Sequence, residues 1–207
     1  MLERAKAVTK YKQWTSVEYA RFADDIVVLV NGHPEKRWLK SAIVKRLREE
    51  FARLGLEINE EKSRIVNLEQ NEAFSFLGFQ FRRIKTRTGK WMSLRIPEPK
   101  KRTALLRRLK EEFRKHRSQP ILRLIERINM ILRGWVNYFA IGHSSKCFSF
   151  IRNWVEKKIR RHLARARLRQ GFGWKRWSRK WFYEELGLFS EYRVKYFEPR
   201  TKASPAG

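Results

Sequence analysis

Between Pro97 and Pro99 the apolar residues of this chain change period, so the two sides of that point cannot share one kind of fold. Before it, short β-type runs dominate: residues 17–21, 26–30, 64–68 and 74–81, with Gly89 marking a hairpin turn within 86–90. One amphipathic helix is expected among them, over residues 34–54. There Trp38, Leu39, Ala42, Ile43, Leu47, Phe51 and Leu54 recur at steps of three and four, Pro34 suits the start, and Gly55 suits the stop. After Pro99 only helical periodicity remains. Leu105, Leu106, Leu109 and Phe113 mark one helix, and Ile121, Leu124, Ile125, Ile128 and Leu132 a second. Phe148, Ile151, Trp154, Val155, Ile159, His162 and Leu163 mark a third, and a short helix is expected around Trp177 to Leu186. The fold class is therefore α+β: antiparallel strands with a packed helix over 1–97, an all-α part over 98–190, and a polar tail over 191–207.

Charge divides the chain at nearly the same place. Residues 1–80 hold fourteen Lys/Arg and twelve Asp/Glu, whereas residues 81–207 hold 35 and 9, so almost all of the +28 net charge lies in the later part. A polyanion is the expected partner. A disordered basic tail would carry such charge, but not eight tryptophans. Cations interleaved with Trp, Phe and Tyr suit a folded surface that grips phosphates and stacks bases. No apolar run approaches the ~20 residues needed to span a bilayer, and the first residues have no apolar core of a secretory signal. The single cysteine, Cys147, excludes an internal disulfide and a multi-cysteine zinc site. It reads as a small core filler, and an intracellular, reducing compartment is expected.

The runs 17–21 and 26–30 are separated by Phe22-Ala23-Asp24-Asp25 and read as a hairpin with two carboxylates at its tip. Ile26-Val27-Val28-Leu29-Val30 is apolar on both faces, so a buried strand is expected. Aspartate is common in turns because its side chain bonds the local backbone. Two adjacent anions on a rigid tip also repel unless a cation bridges them. Mg²⁺ is suited to that place, since it takes one or two carboxylates together with substrate phosphates. A pair of such ions ~3.5–4 Å apart serves phosphoryl transfer.

Here the sequence resembles a known family. Tyr19-Ala20-Arg21-Phe22-Ala23-Asp24-Asp25-Ile26-Val27 is similar to the metal-binding motif of reverse transcriptases. Gly55-Leu56-Glu57-Ile58-Asn59-Glu60-Glu61-Lys62-Ser63 and Phe74-Ser75-Phe76-Leu77-Gly78-Phe79 resemble the next palm block and the primer grip. Ile131-Leu132-Arg133-Gly134-Trp135-Val136-Asn137-Tyr138-Phe139 resembles the thumb, or domain X, of group II intron reverse transcriptase/maturases. The four blocks stand in the family's order.

The resemblance implies the end of a polymerase palm followed by a thumb/maturase domain. It implies Asp24 and Asp25 as metal-side aspartates with Mg²⁺, and Lys62 as a proton donor to the leaving pyrophosphate. Phe22 stands where the family usually has Tyr, which implies altered nucleotide handling. Leu77 and Gly78 would place the primer backbone. Intron RNA would be gripped by Arg133 and by Arg160, Arg161, Arg165, Arg167 and Arg169. A second group, Lys175, Arg176, Arg179 and Lys180, alternates with Trp174, Trp177 and Trp181. Group II intron RNA and an RNA template with DNA primer are the implied partners, with no membrane. In the family the fingers and first half of the palm precede the hairpin and supply a further aspartate. Only about seventeen residues precede it here, without any aspartate. A split or truncated frame is therefore expected, incomplete as a polymerase unless a separate N-terminal fragment joins it. A bacterial, cytoplasmic setting is expected. Three readings stay open: a polymerase completed in trans, a non-catalytic binder of structured RNA, and an inactive gene product.

Overall fold

The computed structural model describes residues 17–30, 32, 37–166 and 173–195. Two compact units divide it: Met1–Phe76 with Arg82–Met92, and Leu77–Phe81 with Ser93–Gly207. As the periodicities require, the class is α+β.

In the first unit, β1 (Val17–Phe22) and β2 (Asp25–Val30) pair antiparallel, in a register running from Val17 opposite Val30 to Phe22 opposite Asp25. The run 26–30 was expected to be buried. It is instead half-buried to exposed, because β1 is its sole partner in a two-stranded sheet among the described residues. Helix α1 (Arg37–Arg53) follows; Pro34, its expected start, lies outside the described residues. The helix ends as Gly55 requires. With φ at +66°, Gly55 lets its own N–H reach the Ala52 carbonyl (3.1 Å) and the Leu56 N–H reach that of Phe51 (2.9 Å). Of the apolar residues fully buried in the described chain, only Val17 and Leu39 belong to this unit.

Two sequence expectations fail here for local reasons. Residues 64–68 form no strand. The Asn67 side chain accepts from the Glu69 N–H (3.0 Å) and caps a 3₁₀ turn over Leu68–Gln70, while the Asn67 N–H is taken by Glu72. Residues 74–81 are not one strand but two, β3 (Ala73–Phe76) and β4 (Phe79–Lys85). Leu77 and Gly78 reverse the chain between them with φ of +50° and +73°. Positive φ at both central residues is the geometry of a two-residue hairpin turn. β5 (Trp91–Pro97) completes a three-stranded sheet in the order β3-β4-β5, and the turn holding Gly89 closes with a 2.7 Å bond from the Thr86 N–H to the Lys90 carbonyl.

The second unit carries the main core. Helices α2 (Pro99–Lys115), α3 (Ile121–Phe139) and α4 (Ser145–Ala166) bury the apolar positions that their spacing marked, among them Leu109, Leu124, Ile128, Leu132, Ile151 and Ile159. Each such side chain contributes about 1.5–3 kcal/mol of burial. The short helix expected around Trp177 to Leu186 forms over residues 179–185, its last five residues, Trp181–Glu185, wound as a π-type turn with Phe182 in the core. Asn129 on α3 fastens the segment that follows: its amide donates to the Gly187 carbonyl (2.7 Å) and accepts from the Phe189 N–H (2.8 Å). Tyr192 and Val194 pack against the same core.

Candidate functional site

The hairpin tip is a two-residue turn of Ala23 and Asp24. Ala23 sits at φ +53°, a left-handed conformation that costs a non-glycine residue roughly 1–2 kcal/mol. The Arg21 side chain braces it, its Nε donating to the Ala23 carbonyl at 2.9 Å. Asp25 stands directly across the ladder from Phe22, whose ring is 62% exposed. Asp24 and Asp25 are both exposed, and no ion pair joins either to another described residue. Exposed carboxylates side by side are hard oxygen donors of the kind that Mg²⁺ takes together with water and substrate phosphate. Among the described residues there is no group of three or more His, Cys, Asp or Glu that could hold a metal. Lys62 is exposed on a separate turn, where its N–H bonds the carbonyl and the side-chain oxygen of Asn59. No hydrogen bond or ion pair joins it to either aspartate.

The turn of Leu77 and Gly78 belongs to the helical unit and is fastened there at both residues. The Tyr138 hydroxyl donates to the Leu77 carbonyl at 2.9 Å, and the Glu98 N–H donates to the Gly78 carbonyl at 2.9 Å. Phe79 then packs against Tyr138 and Phe139, with ring centroids 6.0 and 5.0 Å apart. The blocks read as primer grip and domain X thus meet in one cluster. Sequence reasoning quoted Tyr138 only as part of a motif. Its position one turn from Trp135, in a run of aromatics, was the available signal.

The expected RNA-gripping cations divide into several groups. Arg133, Arg165, Lys175 and Arg176 are exposed, as is Arg161. Lys180 is exposed and pairs with Glu184 at 3.7 Å. Arg167 and Arg169 lie outside the described residues. Arg160 requires correction: it is 1% exposed and faces the core, not the solvent. Its Nε donates to the Trp177 carbonyl (3.1 Å), and its guanidinium lies 4.1 Å from the Trp174 ring and 4.6 Å from the Phe182 ring. Glu156, one helical turn earlier and also 1% exposed, approaches it at 3.7 Å. Burial pushes the Arg160 guanidinium below its ordinary value, and Glu156 opposes that shift.

Glu156 also accepts from Arg179 Nε at 3.0 and 3.1 Å and from the Tyr183 hydroxyl at 2.8 Å. Arg179 reaches on to Asn153 at 2.8 Å, and its bonds to Glu156 raise its affinity for its proton. The Tyr183 hydroxyl is pushed up, first by burial and then by Glu156. Arg160 and Arg179 are therefore part of a structural knot that ties α4 to residues 174–183. Sequence reasoning missed Glu156, although it is the sole acidic residue between Glu126 and Glu184. One acid amid so many cations was the signal.

No curated protein matches the chain. The family model for reverse transcriptase (RNA-dependent DNA polymerase) matches residues 3–81. That for the group II intron maturase-specific domain matches residues 102–183. The hairpin with its two aspartates lies in the first match, and the three-helix core with the Glu156 knot lies in the second. With both regions in this order in one polypeptide, the chain belongs to the group II intron reverse transcriptase/maturase family.

Proposed function

We propose that the chain binds folded group II intron RNA through its helical part, residues 98–190, and assists splicing. In the same proposal Asp24 and Asp25 hold Mg²⁺ for RNA-directed DNA synthesis once a carboxylate from outside the described residues completes the site. When bound, the metal neutralises charge that develops on the transferred phosphoryl group. The chain's own part is to present two exposed carboxylates on a braced turn, with Lys62 as the proton donor to pyrophosphate. Leu77 and Gly78 hold the primer backbone. The observation that carries the reading is the Tyr138–Leu77 hydrogen bond, which fastens the turn of Leu77 and Gly78, inside the reverse-transcriptase match, to α3, inside the maturase match. The 35 cations against 9 acids after residue 80 support an RNA partner. Among the described residues no helix is long and apolar enough to cross a membrane. The place of action in this reading is that of the RNA, the cytoplasm of a bacterial cell.

Two assays test it. With Mg²⁺, primer and template, the purified chain yields no cDNA, and adding a reverse-transcriptase fingers–palm fragment restores synthesis. Restored synthesis that survives Asp24→Asn would refute the metal assignment. In the second assay the chain binds folded intron RNA with steep salt dependence and accelerates its splicing, whether or not Asp24 is replaced. Equal affinity for every RNA at moderate salt would refute the maturase role.

A further inference from the structure

The helix that buries Arg160 turns a different set of side chains outward. Along α4 the residues Phe150, Trp154, Lys158, Arg161 and Arg165 follow at steps of four, four, three and four, which places them on one face. That face runs about 22 Å from end to end. Two aromatic rings occupy its first half and three cations its second.

Helix α2 and the turn after it add cations beside this row. The Arg102 guanidinium lies 4.9 Å from the centroid of Phe150, a ring that is itself 45% exposed. The Lys158 ammonium lies 5.2 Å from the Trp154 ring. Further along, Phe113 of α2 meets His162 of α4 at 6.0 Å. Lys110 and Arg117 lie near enough to act on this region electrostatically. Burial, then Arg161, Lys110 and Arg165, push the Lys158 ammonium down, and burial, then Arg117 and Arg165, push His162 down. No carboxylate among the described residues bridges Lys110, Arg117, Lys158 or Arg165, and Glu112 on α2 is taken by His116 at 3.5 Å. These four cations, gathered against their mutual repulsion and bridged by no described acid, are arranged for an external anion.

The rings decide which anion. A sulfate or free phosphate needs only charge. A duplex offers phosphates but keeps its base faces stacked inside. The exposed ring of Phe150 and the half-buried ring of Trp154, in line with cations, fit a strand whose bases are unstacked and free to lie on an aromatic surface. We propose that the face of α4 from Phe150 to Arg165, with Arg102, Lys110 and Arg117 beside it, is a binding track for an unpaired RNA segment. Its bases stack at Phe150 and Trp154, and its phosphates run along Lys158, Arg161 and Arg165. The proposal rests on the RNA-binding reading above and gives it a location: away from Arg160 and the Glu156 knot, on the opposite side of the same helix.

The test is fluorescence anisotropy with a labelled oligouridylate and a labelled RNA duplex of equal length, over a series of salt concentrations. The full chain binds the oligouridylate more tightly. Phe150→Ala weakens oligouridylate binding at least about five-fold, the low end for one stacked base, and leaves the duplex unchanged. Phe150 is exposed, so this variant keeps its helical circular dichroism. Lys110→Gln, Lys158→Gln and Arg165→Gln together weaken both ligands and lower the salt slope for the oligouridylate by about 2. The same number of charges removed at Lys40, Lys45 and Lys90 has a smaller effect. If oligouridylate affinity is unaltered by Phe150→Ala, or the α4 triple variant matches the control triple, the track is overturned while RNA binding stands. If the parent chain binds neither ligand, the RNA-binding reading falls with it.

Discussion

Replacing Glu156 by Gln preserves the volume of the side chain and removes its charge, in a place where water cannot compensate. Glu156 and Arg160 are each 1% exposed, so the variant leaves a buried guanidinium without its counter-charge. Breaking such a pair from one side costs about 3–5 kcal/mol. Three structural details place this case at the lower end. Arg160 keeps the Trp177 carbonyl and its two aromatic rings, glutamine still offers one oxygen to Tyr183, and the Arg179 side chain is 57% exposed, so solvent replaces its lost partner. The expected loss is about 3 kcal/mol, a large share of the ~5–15 kcal/mol that holds a typical domain. At roughly 2–4 °C per kcal/mol for a chain of this size, the melting temperature falls by ~10 °C. Urea unfolding followed by circular dichroism and by tryptophan fluorescence measures the change. Adding Arg160→Met to Glu156→Gln removes the orphaned charge and recovers part of the loss. A loss below about 1 kcal/mol for Glu156→Gln, or no recovery on adding Arg160→Met, would refute the reasoning.

Gly173→Ala places a methyl group 2.5 Å from Cε3 of Trp177 at a φ of +62°, so it destabilises by about 2 kcal/mol or more, and an unchanged thermal melt would show the fit to be looser than described. Tyr138→Phe removes one hydroxyl and frees the Leu77 carbonyl, a loss of about 1 kcal/mol in urea unfolding, with hydrogen exchange rising at the turn of Leu77 and Gly78. Equal exchange in parent and variant would mean the bond does not hold the turn. His162 is pushed down by burial, then by Arg117 and Arg165, so the unfolded chain takes up its proton first as pH falls. Stability is therefore complete above about pH 6.5 and declines below it until the lowered folded value is passed. His162→Phe flattens the stability profile in that window, and a parent-like profile in the variant would assign the decline to another group.

The helical half was legible because its apolar residues repeat at three and four and are buried where that repeat demands, as Leu124, Ile128 and Leu132 are. The tip at Asp24 and Asp25 was legible because β-forming residues flank it on both sides. The exposure of β2 was not, since burial depends on how many strands flank it and an apolar run carries no such count. The break at Leu77 was hidden because leucine in a left-handed turn contradicts local preference and persists through the bonds from Tyr138 and Glu98. The role of Arg160 was hidden because a list of cations does not say which one has a buried acid a helical turn away. Periodicity reports faces, whereas partners come from packing.

The split of β4 between two compact units has a consequence for inheritance. Leu77–Phe81 lie apart in sequence from Ser93–Gly207, yet they supply a turn and an aromatic ring to the helical core. A crossover in the gene just before Pro97 would separate that core from a piece of its own interior. Gene fusion or exchange at this point would then yield two damaged products, not two interchangeable modules. The end of the polymerase region and the maturase region should descend together as one linked block, with viable breakpoints lying upstream of β3.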